Sequence, residues 1–313
     1  MSDLIDPDEV DGAVSIDVAE FFAREAPAEE TPEGYRSGFV AIVGRPNVGK
    51  SSLVNRILGR KVTITSKRPQ TTRTQVRGIL TRPDVQIVFV DTPGVHKPRT
   101  LMGERLNETA LGSATGVDVV CLLVDATQPI GTGDLWVAEH LPDHIVLAVN
   151  KTDRASKQDV MAQLMKASEK IPAAEYFPIS ARTGEGVDAL LEYFMSKMPE
   201  GPKWYPDEMH SDTDETTWIS ELVREQLLIV ARDELPHSIA CRVTEWNWPR
   251  VRVEILVERE SQKGIVIGKG GSVLKEVGTR VREQMPEGAF VELYVKVQKD
   301  WQRNATQLDR LGY

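Results

Sequence analysis

Two loops rich in glycine and lysine could each bind phosphate groups: GRPNVGKSS at residues 44–52 and IVIGKGGSV at residues 265–273. The first loop has a glycine, four residues and then Gly-Lys-Ser, and it lies between an apolar run and a helical pattern. In such a loop glycines let backbone amides point at phosphate oxygens, Lys50 reaches the β and γ phosphates, and Ser51 coordinates Mg2+. We therefore predict a nucleotide site whose loop residues are Gly44, Arg45, Pro46, Asn47, Val48, Gly49, Lys50, Ser51 and Ser52.

Three further motifs indicate which base is bound. VFVDTPG ends an apolar run with Asp91, placed to hold Mg2+ through a water, and its Gly94 amide can sense a γ-phosphate. In NKTD, residues 150–153, the Asp153 carboxylate can accept from N1 and the 2-amino group of guanine, an arrangement that adenine lacks. SAR, residues 180–182, can supply the Ala181 amide to guanine O6. This order of motifs predicts GTP or GDP with Mg2+, and the remaining predicted contacts are Thr92, Pro93, Asn150, Lys151, Ser180 and Arg182.

The motif set resembles the translation-factor-related GTPases, and within them the Era-like subgroup that includes Era, Der and TrmE. By this resemblance KRPQTTR, residues 67–73, corresponds to the first switch segment, where one threonine completes the Mg2+ shell when GTP is bound. The sequence does not separate Thr71 from Thr72, and Thr72 is the preferred assignment. The resemblance thus implies Ser51, Thr72 and Asp91 as metal ligands and Lys50, Thr72 and Gly94 as catalytic residues.

Val95 follows DTPG at the position where Ras-like enzymes have the glutamine that orients the attacking water. An isopropyl group cannot orient water by hydrogen bonding, so we expect slow hydrolysis without activation. The adjacent His96 is a candidate to contribute, although a lone exposed histidine is more often simply solvated.

The second loop lacks the four-residue spacer and the Ser or Thr after lysine that a Mg-nucleotide loop requires. It contains G-x-x-G, residues 268–271, in a predicted order of helix, strand, strand, helix, strand, helix. That is the order of a type II KH domain, which clamps about four nucleotides of single-stranded RNA along this loop. The alternative is a glycine helix cap. The predicted RNA-binding residues are Ile267, Gly268, Lys269, Gly270, Gly271 and Lys275.

The apolar runs predict the architecture. From residue 39 to about residue 198, short apolar runs alternate with amphipathic stretches, which predicts an α/β, Ras-like domain with a mainly parallel sheet wrapped by helices. We divide the chain into an acidic extension (1–36) that we expect to be disordered, a GTP-binding G domain (37–198), a linker (199–217) and an α+β KH domain (218–313).

The formal charge of −9 comes entirely from the first 36 residues, which hold 11 acidic and two basic residues. The rest of the chain has equal numbers of acidic and basic residues, so its composition is compatible with a locally basic face that binds RNA. The two cysteines are expected to be buried hydrophobes rather than a bridge. Without a signal peptide or a membrane-length apolar run, we expect a cytoplasmic protein. The basic stretch at residues 56–61 leaves peripheral contact with the inner face of the cell membrane open.

A single G domain followed by one KH domain, with VKVQKDW at residues 295–301, is similar to the Era layout within this subgroup. The resemblance implies a monomeric, GTP-dependent factor in 30S ribosomal subunit maturation whose KH domain binds the 3′ end of 16S rRNA. Two alternatives stay open. One is a P-loop kinase, which has no need of NKTD, and the other is an RNA-binding scaffold with an inactive G domain.

Overall fold

The computed structural model describes residues 31–66, 68, 71–98, 100–230 and 238–313. Its first sheet is built from β1 (Arg36–Gly44), β2 (Val76–Thr81), β3 (Val85–Asp91), β4 (Val119–Asp125), β5 (Ile145–Asn150) and β6 (Glu175–Pro178). The strands lie in the order β2-β3-β1-β4-β5-β6. β2 is antiparallel to β3, and every other neighbouring pair is parallel.

In the described part of the chain, five helices wrap this sheet: α1 (Lys50–Leu58), α2 (Leu101–Gly112), α3 (Thr132–Glu139), α4 (Lys157–Lys170) and α5 (Val187–Lys197). Successive residues of β1 point into different cores, because Val40 and Ile42 belong to one apolar cluster while Ala41 and Val43 belong to the other. A strand buried on both faces needs a continuous apolar run, which explains why FVAIVG has no polar alternation.

The second sheet contains three strands, β7 (Ala240–Asn247), β8 (Arg250–Val257) and β9 (Phe290–Val297), with β8 in the centre. β7 is antiparallel and β9 parallel to β8. Three helices, α6 (Glu215–Val230), α7 (Glu260–Ile267) and α8 (Ser272–Arg282), pack on the alternate apolar residues of β8. A 3-10 turn at Trp301–Arg303 and α9 (Ala305–Arg310) follow.

The fold class predicted from the sequence is confirmed, and the structure differs from the sequence analysis in three local details. The sequence predicted one helix between the second and third strands of the second unit, but the structure has two, α7 and α8, with the G-x-x-G loop between them. β2 was not predicted at all. The first helix of the second unit begins at Glu215, three residues before the predicted start of the KH domain at residue 218. The predicted disorder of the acidic extension lies, for residues 1–30, outside the described residues.

The segment predicted as a linker is packed against the first sheet. The Gln86 side chain accepts hydrogen bonds from the amides of Trp204 (2.7 Å) and Tyr205 (3.0 Å) and donates to the Tyr205 carbonyl (2.8 Å). Arg77 forms an ion pair with Asp212 at 2.7 Å. The connection between the two sheets is therefore anchored along β2 and β3.

Candidate guanine-nucleotide site and RNA loop

The phosphate loop joins β1 to α1, and its glycines are required by close contacts. Gly49 has φ +106° at the N-terminus of α1, and a Cβ there would overlap the side-chain amide of Asn150. A Cβ at Gly44 would lie 2.5 Å from the Leu123 carbonyl oxygen. The loop therefore lies against the carboxyl ends of β4 and β5, the edge of a parallel sheet where ligands bind.

Lys50 is buried at the centre of the loop. Its Nζ donates to the carbonyls of Gly44 (3.0 Å) and Arg45 (3.1 Å). Burial lowers the Lys50 pKa to about 8, and the nearby Asp91 carboxylate opposes this shift. A buried ammonium group held by neutral carbonyls is suited to gain an anionic partner such as a phosphate.

Three side chains predicted to hold Mg2+ meet beside Lys50. The hydroxyls of Ser51 and Thr72 are 2.8 Å apart, and Thr72 Oγ1 donates to Asp91 Oδ2 at 3.3 Å. Burial raises the Asp91 pKa, while Lys50 opposes the rise. Among the described residues, Asp91 Oδ1 is buried without a hydrogen-bond partner. Two hydroxyls and a carboxylate with an unused acceptor fit a hard divalent cation such as Mg2+.

The side chains of the two threonines in the first switch point in different directions. Thr71 Oγ1 donates to the Arg68 carbonyl at 2.8 Å, away from Asp91. Thr72 is buried and contacts both other candidate ligands. The geometry therefore favours Thr72, although the sequence left both open. Lys67, Pro69 and Gln70 of this segment lie outside the described residues.

The base-recognition loops are joined by hydrogen bonds. Asn150 donates from Nδ2 to the Val48 carbonyl (2.8 Å) and accepts at Oδ1 from the Ala181 amide (2.9 Å). The Ala181 amide, which the sequence assigned to guanine O6, would share its hydrogen between Asn150 and the base. Ser180 Oγ donates to Asp153 Oδ1 at 2.8 Å, which orients the carboxylate predicted to select guanine.

Sequence reasoning missed three residues that support these loops. Arg56 of α1 donates from Nε to the Ala181 carbonyl at 3.0 Å and from Nη2 to the Arg182 carbonyl. Asp125, at the end of β4, forms a 2.6 Å ion pair with Lys151 of NKTD. Thr63 donates to Asp91 Oδ2 at 2.9 Å. None of the three belongs to a motif, so only the fold reveals them.

The segment after DTPG is fixed by α2. The Gly94 backbone lies so close to Pro46 that a Cβ would be 2.7 Å from Pro46 Cα. Val95 is fully buried in an apolar cluster. Asn107 binds both backbone groups of His96, accepting from its amide at 3.2 Å and donating to its carbonyl at 2.7 Å.

An open cavity of about 920 Å³, at the upper end of small-molecule sites, lies beside the phosphate loop and the first switch segment, and the base-recognition residues Asp153 and Ala181 do not line it. The walls include phosphate-loop residues, Thr72, Gly94 and Lys151. Leu228 and Ile229, at the end of α6, also line it. The first helix of the second unit thus reaches the nucleotide cavity, which the sequence had not predicted.

The G-x-x-G loop lies between α7 and α8. Gly268, Gly270 and Gly271 all have φ between +60° and +81°. No atom lies within 4 Å of the Cβ position at Gly270 or Gly271, so their backbone faces open space. Lys269 and Lys275 are exposed, whereas Val266 enters the core and Ile265 is 51% exposed. An open glycine backbone at the start of a helix can approach phosphates closely.

Comparisons with known proteins support a GTPase domain followed by a KH domain. A family model described as 50S ribosome-binding GTPase matches residues 39–151, and a KH-domain model matches residues 234–302. GTPase Era of Mycobacterium sp. (strain JLS) is 48% identical over 297 residues, covering 89% of this chain and 99% of that protein. The chain belongs to the Era family of GTPases. The family prediction and the enzyme prediction are thereby confirmed.

Two Era structures resemble the fold over both units. Era in complex with MgGDPNP and nucleotides 1506–1542 of 16S ribosomal RNA superposes with a TM-score of 0.85 at 34% identity. An Aquifex aeolicus Era variant bound to GDP.AlF4− gives a TM-score of 0.84, also at 34% identity. Each alignment covers 89% of this chain and 99% of the Era chain. Among the described residues of this chain, no helix has the length and apolar run that a bilayer crossing requires.

Proposed function

We propose that this protein is a GTP-hydrolysing switch that binds the 3′ end of small-subunit rRNA through its KH domain and assists 30S subunit maturation. The observation that carries the proposal is the presence, in one chain, of a complete guanine-nucleotide motif set and an open G-x-x-G loop. The Era complex with MgGDPNP and 16S rRNA supports the same pairing of ligands.

In the proposed reaction, water attacks the γ-phosphate of GTP and GDP leaves. Lys50 and the phosphate-loop amides bind the phosphates, while Ser51, Thr72 and Asp91 would hold Mg2+. The cation would neutralise developing charge on the phosphate oxygens. The Gly94 amide would donate a hydrogen bond to the γ-phosphate. Since Val95 is buried and cannot orient water, intrinsic hydrolysis is slow.

For RNA, Gly268, Gly270 and Gly271 form the clamp, Lys269 and Lys275 contribute charge, and Ile267 lies at the groove. The nearly balanced charge of the body means that affinity depends on this local groove rather than on bulk attraction.

The domain limits of 37–198 and 218–313, the monomeric state and a cytoplasmic location are parts of the same proposal. Peripheral membrane contact has little support from the basic stretch at residues 56–61. Arg56 is engaged with the carbonyls of residues 181 and 182, and Lys61 with Glu225 and Gln284.

The test is a titration of a labelled oligonucleotide that matches the 3′ end of small-subunit rRNA, at fixed salt, with GTP-analogue-loaded protein. We expect binding by the wild type and its loss in Gly270→Asp, which places an anion in the open clamp. GTP hydrolysis without RNA is expected to be unchanged in that variant. Equal RNA binding by the wild type and Gly270→Asp would mean that IGKGG is a glycine helix cap and not an RNA clamp.

A further inference from the structure

One face of α6 carries charged residues that do not face solvent. Glu221, Arg224, Glu225 and Leu228 follow the i, i+3, i+4, i+7 spacing, so they form a single stripe along the helix. Arg224 is 0% exposed and Glu225 is 4% exposed. Buried charges are destabilising unless they are paired, so the partners of this stripe explain why it exists.

Those partners lie in residues 61–73, a stretch that ends with the first switch segment at residues 67–73. Glu225 accepts at Oε1 from the Thr65 amide (3.0 Å) and at Oε2 from Lys61 Nζ. The adjacent Arg224 is paired with Glu221, about one turn earlier on the helix, and donates from Nη2 to the Thr71 carbonyl. α6 therefore contacts this stretch at Lys61, Thr65 and Thr71.

The contact at Thr71 bears directly on the metal site. The Thr71 carbonyl belongs to the peptide group that leads into Thr72, whose hydroxyl contacts Ser51 and Asp91. The Arg224 hydrogen bond is therefore made to the peptide group directly before Thr72. Among the described residues, Arg224 Nη1 is buried without a hydrogen-bond partner.

We propose that Arg224 and Glu225 are positioning residues that hold the first switch with Thr72 in its Mg2+-binding orientation. This inference rests on the proposed Mg2+·GTP site. Because the same conformation contains the docked α6 and the inward Thr72, Mg2+·GTP binding and α6 docking stabilise each other. If the stripe only joined the two units, its loss would weaken their contact without changing the affinity for Mg2+.

The experiment measures Mg2+ affinity in the full-length protein loaded with a fluorescent GTP analogue. Arg224→Met keeps much of the side-chain volume and removes its donors. The matched control is Arg242→Met, since Arg242 pairs with the buried Glu254 (2.6 Å) on β7 and β8, on a different element from α6. We expect Arg224→Met to weaken Mg2+ binding about tenfold, within the usual range of coupling between sites.

Arg224→Lys is expected to recover part of the loss, because it keeps one charged donor. Arg242→Met is expected to lower the melting temperature without changing Mg2+ affinity. Hydrogen exchange gives a second readout, since the Thr65 amide is expected to exchange faster in Glu225→Ala. The Glu225→Ala variant also replaces Arg224→Met in the Mg2+ measurement if Arg224→Met does not fold.

Unchanged Mg2+ affinity in Arg224→Met and Glu225→Ala would overturn the inference, as would an equal loss in Arg242→Met. A wild-type protein that bound neither GTP nor the analogue would instead overturn the proposed function. The two failures are therefore distinct.

Discussion

The side chain of Val95 is fully buried in the apolar cluster that contains Val43 and Ala110. We predict that Val95→Gln does not accelerate hydrolysis, because the amide would enter an apolar core rather than the nucleotide cavity. It is expected to cost about 1–3 kcal/mol of unfolding free energy, as an uncompensated buried amide does. Urea denaturation and single-turnover hydrolysis check both parts. A stable variant with about tenfold faster hydrolysis would contradict the account.

Asp153 is held by Ser180 in an orientation suited to accept from the base. We predict that Asp153→Asn weakens GTP binding at least about a hundredfold and shifts preference to xanthosine triphosphate, since the new amide donates where guanine also donates. Competition with a fluorescent nucleotide measures the preference. Asp159→Asn, on exposed α4, is the control. An unchanged preference in Asp153→Asn would favour the kinase alternative.

Motif residues could be predicted because their chemistry depends on short, local spacing. Asp91 and Asn150 end buried strands and Lys50 lies shortly after one, and the structure brings all three to one edge of the sheet. Arg56 and Asp125 could not be predicted, because they act through loops more than 25 residues away in the chain.

At the scale of elements, α7 shows where sequence periodicity fails. Its IVIG run is short and apolar, and such a run does not distinguish a strand from a buried helix. β2 was missed for a related reason, since Gly78 lowers strand propensity in VRGILT. The glycine is needed there because a Cβ would lie 2.5 Å from a methyl group of Leu58 on α1.

The left-handed glycines of the G-x-x-G loop give a prediction at this scale. Gly271→Ala is expected to cost about 1–2 kcal/mol of unfolding free energy, because φ is +81°. It is also expected to weaken RNA binding, since the new methyl group projects into the open space of the clamp. Gly288→Ala is the matched control, with φ +88° and the same open surroundings. Thermal unfolding and oligonucleotide titration separate the two effects, and equal RNA affinity of the two variants would contradict the assigned groove.

At the scale of the whole molecule, the second unit contacts the first switch segment and the helix that follows DTPG. Arg73 donates to the Ile239 carbonyl at 2.6 Å and lies over the rings of Trp301 and Tyr313. Trp301 and Leu308 pack with α2, which follows DTPG, through Met102 and Leu106. A change in either segment on GTP hydrolysis would therefore alter contacts made by the KH unit.

These interdomain contacts could not be predicted from the sequence. Arg224 and Glu225 resemble ordinary solvated charges on a helix, and nothing local in the chain marks them as buried. Their burial depends on how two independently patterned units meet. The sequence could predict the two folds and their ligand classes, but not the surface between them.

The most direct test of the account compares RNA affinity in two nucleotide states. The same rRNA 3′-end oligonucleotide is titrated, at fixed salt and Mg2+, into protein loaded with GDP or with a non-hydrolysable GTP analogue. We predict tighter RNA binding in the GTP-analogue state. The γ-phosphate would order the first switch segment, and the contacts of that segment with α6 and Ile239 would connect this ordering to the KH unit. Equal affinity in the two states would contradict a nucleotide-gated RNA switch.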